Sequence, residues 1–245
     1  MTTGLKLSKD RKVANIVNKA GTQAAMHNAF GLPAGDQFSC GGMTDVCGSI
    51  CYANKLEKLF PSLRVLLMHN WNLLKDADFD TMVNLLDEVI CKFESECEKR
   101  SAKKIFRIHW DGDFFSIDYA RAWIEVIRCH PDIQFWSYTR QAFAAVELHK
   151  SGLINVANYF SADSANLPIA TMLRKTYGIR LAMLADNFQD GQAVMREITG
   201  KVGAKCPENN KAQAFGLITT EGSACSRCRL CVFGKADIVF SATKK

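Results

Sequence analysis

Apolar and polar positions recur along the chain with two periods, which predict strands and helices in alternation. The clearest helical pattern covers residues 78–100, where apolar side chains return every three or four positions. Shorter apolar runs predict strands, and beyond residue 100 a helical pattern follows most of them. The predicted strands are 23–32, 104–110, 134–138, 156–161, 180–184 and 215–220, and the later helices are 116–129, 141–151, 168–177 and 192–198.

About six β/α units in succession predict one parallel sheet with helices outside it. We expect an α/β fold, as a full or partial (β/α) barrel or as an open doubly wound sheet. A length of 245 residues suits one domain, so we assign 1–245 to a single unit whose closing segment is 201–235. The basic segment 1–12 is the candidate tail, and we expect it outside the core.

Polar residues follow the predicted strands, and active sites of such sheets form beyond the carboxyl ends of the strands. A cysteine-bearing loop at 33–52 follows the first strand, and a second cysteine group follows the last one. We therefore expect both cysteine groups at the C-terminal face of the sheet. The polar residues after the intervening strands are Asp111, Asp113, Arg140, Asp163 and Asp186.

The first cysteine group contains Cys40, Cys47 and Cys51 in one short glycine-bearing loop. Three thiolates on a four-iron cluster leave one iron free to bind a small molecule, whereas structural zinc sites are closed by four ligands. The loop therefore favours a reactive [4Fe-4S] cluster. Zinc completed by a distant ligand, or thiols without metal, are the alternatives.

The second group contains Cys225, Cys228 and Cys231, with Cys206 upstream as the natural fourth ligand. Two residues between successive cysteines is the spacing of bacterial ferredoxins. With four thiolates, every iron of the cluster would have a protein ligand, which favours an electron-transfer or structural role. Zinc is again the alternative.

Composition supports metal ligation over disulfide bonds. Apolar residues make up 48% of the chain, but no stretch has the roughly 20 apolar residues of a membrane span, and the N-terminus lacks a secretory pattern. We therefore expect a cytoplasmic protein, whose clustered thiols stay reduced and available to metals. The remaining cysteines, Cys91, Cys97 and Cys129, lie on or near apolar helix faces, and we expect them to be buried structural thiols.

A net charge of +6 is compatible with a polyanionic partner. The basic residues are scattered, however, and form no run interleaved with aromatic residues. Nucleic-acid binding is therefore permitted by the sequence without being indicated by it.

Four segments together resemble a phage family named after a mycobacteriophage gene product, number eighty-eight. They are the loop of Cys40, Cys47 and Cys51, the segments 107–116 and 135–140, and the closing cysteines. The resemblance covers most of the chain, from about residue 23 to residue 231. It implies an origin in a phage or mobile element.

The layout is more distantly similar to the radical S-adenosylmethionine superfamily. That resemblance implies a full or partial barrel in which the three-cysteine cluster binds S-adenosylmethionine and an acidic motif after the second strand receives its amino group. Gly112 and Asp113 match the motif, and Tyr52 joins them as a cofactor-binding candidate. The cysteines here are separated by six and three residues, against three and two in the usual loop of the superfamily.

These observations lead to an enzyme hypothesis in which Asp113, Arg140 and Asp163 are the catalytic candidates. Arg140 can pair bidentately with a carboxylate or phosphate. The substrate would be a small molecule or a nucleic acid, and redox chemistry would need an electron donor in the bacterial host cytoplasm. The alternatives are a non-catalytic metal-stabilised module that binds nucleic acid or protein, and an iron–sulfur protein that transfers sulfur or electrons without S-adenosylmethionine.

Overall fold

The computed structural model describes residues 4–8, 25–207, 218–219, 222–223, 225 and 228–242. Its strands are β1 (Ala25–Gly31), β2 (Lys103–Asp111), β3 (Gln134–Thr139), β4 (Val156–Ala162), β5 (Arg180–Ala185), β6 (Ala204–Lys205), β7 (Ile218–Thr219), β8 (Gly222–Ser223) and β9 (Ile238–Ser241). Its helices are α1 (Asp45–Ile50), α2 (Tyr52–Leu59), α3 (Pro61–Leu74), α4 (Phe79–Lys99), α5 (Ile117–Cys129), α6 (Ala142–Lys150), α7 (Leu167–Tyr177) and α8 (Phe188–Thr199).

Seven strands form one parallel sheet in the order β1-β2-β3-β4-β5-β9-β6. The first five strands are neighbours in chain order, and β9 turns back to lie between β5 and β6. The first five strands therefore lack the reversal of strand order that marks a doubly wound sheet. Strands β1 and β6 are the two edges, and no pairing between them closes the sheet within the described residues.

Helices cover the two faces of the sheet unequally. On one face, α4 and α5 pack on the first three strands, and α7 and α8 pack on β4, β5 and β9, in two large apolar clusters. On the other face, a third apolar cluster combines α2 and α3 with the cysteine segment before β9. This second face leaves room for the site described below.

Local signals explain where the helices begin and end. Ser116 caps α5 as expected, because its hydroxyl accepts a hydrogen bond from the Tyr119 amide at 3.1 Å. Helix α8 begins earlier than the pattern predicts, because Asn187 accepts from the Asp190 amide at 2.9 Å and so caps the helix there. No helix in the described part of the chain is long and apolar enough to cross a bilayer.

The last strand of the sheet differs from the prediction. Residues 218–219 pair antiparallel with 222–223, apart from the main sheet, and the rest of the predicted strand 215–220 lies outside the described residues. The last strand of the sheet is instead β9, whose four residues are too few for a periodicity argument. Cys225, Cys228 and Cys231 therefore precede the last strand and do not follow it.

The predicted tail is also partly wrong. Within the basic segment 1–12, residues 4–8 are described, and Leu5 and Ser8 are buried. The amide of Lys6 donates to Asn70 of α3 at 2.8 Å, and Trp110 donates its ring N–H to the Ser8 hydroxyl at 2.6 Å. These bonds fasten the segment to α3 and to the end of β2.

We expect Gly191→Ala to destabilise the protein, because a Cβ at Gly191 would lie 2.5 Å from Val239 Cγ1 of β9. Overpacking of this kind costs roughly 1–3 kcal/mol, whereas alanine in a helix ordinarily gains about 1 kcal/mol over glycine. Urea unfolding measures whether the substitution lowers or raises the free energy of unfolding. Glu197→Ala, at an exposed position of the same helix, should stay within about 0.5 kcal/mol of wild type; a stabilised Gly191→Ala would contradict the packing of α8 on β9.

Candidate functional site

The loop after β1 carries the first three cysteines and two helix starts. Thr44 caps α1 by accepting a hydrogen bond from the Cys47 amide at 3.1 Å. Cys51 caps α2, and its Sγ accepts from the Asn54 amide at 3.4 Å. Backbone N–H donors to sulfur of this kind are found around iron–sulfur clusters and tune them.

Glycines let this loop lie directly on the ends of β2 and β3. A Cβ at Gly42 would lie 2.7 Å from the carbonyl oxygen of Arg140. Gly112 has a φ of +78°, and a Cβ there would lie 2.5 Å from Ser39 Oγ and 2.8 Å from the carbonyl oxygen of Leu32. Gly112, predicted to contact a cofactor, is therefore required by the close approach of the cysteine loop.

Asp113 is a buried carboxylate with both oxygens in use. It accepts hydrogen bonds from the Phe114 amide at 2.7 Å, the Thr139 hydroxyl at 2.6 Å and the Arg140 amide at 2.7 Å. Its own amide donates to Ser39 at 3.2 Å. Burial raises the pKa of Asp113 to about 6, against these hydrogen bonds, which lower it. The side chain therefore links the segments that follow β2 and β3, and both of its oxygens already accept hydrogen bonds from the protein.

Arg140 and Asp163 form an ion pair beside the cysteine loop. The Arg140 guanidinium donates to Asp163 at 2.6 Å, and the Thr44 hydroxyl donates to the same carboxylate at 2.5 Å. Asp163 is fully buried and Arg140 nearly so. Burial raises the pKa of Cys47, while the charge and hydrogen bond of Arg140 oppose that rise. Arg140 is thus engaged by Asp163 and faces a thiol, which disfavours the predicted bidentate grip on a substrate carboxylate.

A cavity of about 190 Å³ opens beside the loop, with all three cysteines in its wall. It lies at the carboxyl ends of β2 and β3. Tyr52, predicted to contact a cofactor, also lines it and donates its hydroxyl to the Trp110 carbonyl at 2.7 Å. The acidic and basic side chains that share the wall with the cysteines are Arg107, His109, Asp111, Asp113 and Arg140.

Asp111 and His109 bring unsatisfied polar atoms to this cavity. Both carboxylate oxygens of Asp111 and Nδ1 of His109 lack a well-aligned hydrogen-bond partner, although each residue is 2% exposed. Burial, with the nearby charge of Glu57, raises the pKa of Asp111 to about 8, and the Gly112 amide opposes the rise. Burial lowers the pKa of His109 to about 3, helped by the charge of Arg107, so the ring is neutral. Buried polar groups are almost always hydrogen-bonded, so groups left unsatisfied point to a functional reason.

The second cysteine group gathers on the face of the sheet that α2 and α3 cover. Cys206 follows β6, and its amide donates to the Val239 carbonyl at 2.9 Å. Cys206, Cys225 and Cys231 pack against the same apolar cluster. Burial raises the pKa of Cys231 to about 12, opposed by a hydrogen bond with Tyr138 and reinforced by the nearby Cys206 and Cys228. Cys206, Cys228 and Cys231 therefore lie near one another.

Several residues of the site were missed from the sequence or placed wrongly. The sequence indicates Asp111 only as a polar residue at a strand end, because its lack of a well-aligned partner depends on three-dimensional packing. Thr44 and Tyr138 lie within segments that carry the family resemblance, but nothing in the sequence gives either residue a role of its own. Of the three cysteines expected to be buried, Cys97 is buried, whereas Cys91 and Cys129 are exposed because their helix positions turn away from the core.

Comparison with known proteins identifies the family. The family model described as Gene product 88 matches residues 4–234. The Gene 88 protein of Mycobacterium phage L5 is 48% identical over 244 residues, which covers 98% of this chain and 99% of that protein. The corresponding figures for the Gene 88 protein of Mycobacterium phage D29 are 46%, 98% and 99%. No solved structure is significantly similar. The chain belongs to the Gene product 88 family, as its motifs predicted.

We expect Asp111→Asn to stabilise the protein at pH 8 by roughly 1–3 kcal/mol, because an unsatisfied buried carboxylate costs at least that much. The raised pKa means that the folded state resists ionisation, so wild type loses stability as the pH rises from about 4 to about 8. Urea unfolding at pH 5 and pH 8 measures the effect. The gain should shrink at pH 5, and Asp132→Asn, an exposed position, should show none.

Proposed function

We propose that this member of the Gene product 88 family is an enzyme that uses an open-site [4Fe-4S] cluster on Cys40, Cys47 and Cys51. A second cluster on Cys206, Cys225, Cys228 and Cys231 would support it. The observation that carries the proposal is the cavity, because its wall combines three thiols with a buried, unsatisfied carboxylate. When bound, the first cluster would pass an electron to S-adenosylmethionine, whose cleavage gives methionine and a 5′-deoxyadenosyl radical.

The residues present fit an iron–sulfur cluster, whose protein ligands are cysteine thiolates. Three cysteines lie together in the wall of the cavity. The Asn54 amide donates to Cys51, and the Arg140 guanidinium faces Cys47. These donors would offset the negative charge of thiolate-bound iron.

We assign the amine-binding role to Asp111 in place of Asp113. The oxygens of Asp113 accept three internal hydrogen bonds, so its role is to position the loop. Asp111 has no such partners and lies in the same wall. A cationic amino group would pair with it and restore its ionised form. Arg140 and Asp163 likewise become positioning residues.

The fold supports a distant relation to the radical S-adenosylmethionine superfamily. The first five strands wind in chain order, the three-cysteine loop follows β1, and the acidic segment follows β2. Those are the placements that the superfamily implies. We place the reaction in the cytoplasm of an infected bacterium, with a low-potential electron donor and a small-molecule or nucleic-acid substrate.

Anaerobic reconstitution followed by dithionite and S-adenosylmethionine tests the chemistry. We expect 5′-deoxyadenosine from wild type and from Cys129→Ser, whose exposed thiol lies outside both groups. Cys47→Ser should abolish the product, because it removes a ligand of the open cluster. Asp111→Asn should lower the rate by roughly 10- to 100-fold, since a hydrogen bond to a charged group contributes about 1.5–3 kcal/mol.

The control for this assay is an established radical S-adenosylmethionine enzyme treated in parallel. No product from wild type while that enzyme forms it would remove the radical mechanism. A second candidate function would then remain, an iron–sulfur protein that transfers electrons or sulfur without S-adenosylmethionine. The size of the cavity favours it, because about 190 Å³ is below the roughly 300–1,000 Å³ of pockets for drug-sized ligands.

A further inference from the structure

A third group of side chains that can bind a metal lies far from the cysteine loop. Asp87 and Cys91 are one turn apart on α4, and His130 ends α5. His130 comes just before β3, at the amino ends of the strands, whereas the cavity lies at their carboxyl ends. The length of β3 therefore separates the two by about 20 Å. The fold therefore keeps this group apart from the proposed chemistry.

The three ligand atoms are already close. His130 Nε2 lies 2.9 Å from Asp87 Oδ1, and Cys91 Sγ lies 3.5 Å from Asp87 Oδ2. One atom from each residue lies within 4.8 Å of the other two. Bond lengths of about 2.0–2.3 Å place the ligand atoms of tetrahedral zinc roughly 3.3–3.8 Å apart, so small side-chain rotations suffice to admit the ion.

The histidine has the orienting partner that metal-bound histidines usually have. Its Nδ1 lies 2.9 Å from Glu94 Oε2, and Glu94 in turn pairs with Lys104 at 2.5 Å. A proton held on Nδ1 by this carboxylate leaves the Nε2 lone pair directed at Asp87 and Cys91. His130 is only 7% exposed, so its orientation is set by packing as well.

We propose that Asp87, Cys91 and His130 bind one zinc ion, with Glu94 as the orienting partner of His130. Oxygen, thiolate and imidazole donors together suit zinc, whereas magnesium and calcium prefer oxygen alone. Cys91 is exposed and Asp87 half-exposed, so water completes the coordination. The ion would fasten α4 to the turn between α5 and β3. This inference is independent of the function proposed for the cavity.

Cobalt titration of the full-length protein, with Cys91→Ser and Cys129→Ser, tests the site. Cys129→Ser is the matched control, because Cys129 is also exposed and lies next to His130 without belonging to the group. The seven cysteines of the other two groups are present in all three proteins, so their contribution cancels in the comparison. The readouts are bound cobalt per chain, the sulfur-to-cobalt charge-transfer band and the shift of Tm with zinc.

We expect wild type and Cys129→Ser to bind one more cobalt than Cys91→Ser, with a stronger charge-transfer band. Zinc at about a hundredfold above its Kd should raise Tm by roughly 5 °C more in those two proteins than in Cys91→Ser. Equal cobalt counts and equal Tm shifts in all three would overturn the proposal. His130 would then be a hydrogen-bonded bridge between the carboxylates of Asp87 and Glu94 and nothing more.

Discussion

The site depends on one closed circuit of buried hydrogen bonds. The Asp113 amide donates to Ser39, which precedes Cys40, and the Asp113 carboxylate accepts from the Arg140 amide. The guanidinium of Arg140 donates to Asp163, and Asp163 accepts from Thr44, which caps the helix of Cys47. Each member is anchored at the end of a different strand or in the cysteine loop. Breaking one buried ion pair by removing a partner typically costs about 3–5 kcal/mol. The circuit therefore ties the positions of the cysteines to the ends of β2, β3 and β4.

Inside that circuit the chain leaves charge unbalanced. Asp113 and Asp163 are satisfied, but the carboxylate oxygens of Asp111 lack a well-aligned hydrogen-bond partner within the described residues, and its pKa is raised. A protein gains nothing in stability from such a group. The imbalance is explained if a cationic ligand binds there, and the thiols in the same wall suggest why it would be held beside a metal cluster.

Much of the architecture follows from periodicity. The observed bounds of α4, β2 and β4 differ from the predicted bounds by no more than one residue at either end, because their apolar faces are long and regular. Strand β9 has four residues, and its place between β5 and β6 depends on packing against α8, which no local pattern encodes. The cysteine spacing predicts two ligand groups, and the strand ends predicted Asp113 and Arg140, which both line the cavity. The exchange of roles that we propose between Asp113 and Asp111 could not be predicted, because it depends on which carboxylate meets Thr139 and the Arg140 amide in three dimensions.

Iron and acid-labile sulfide in anaerobically purified protein, with its ultraviolet–visible spectrum, test the central claim most directly. Two four-iron clusters predict about eight iron atoms and eight sulfides per chain, with broad absorption that dithionite bleaches. Cys40→Ser should lower the count toward four, because the four-cysteine group keeps its ligands. Zinc in place of iron, with no labile sulfide in the wild-type protein, would contradict the account.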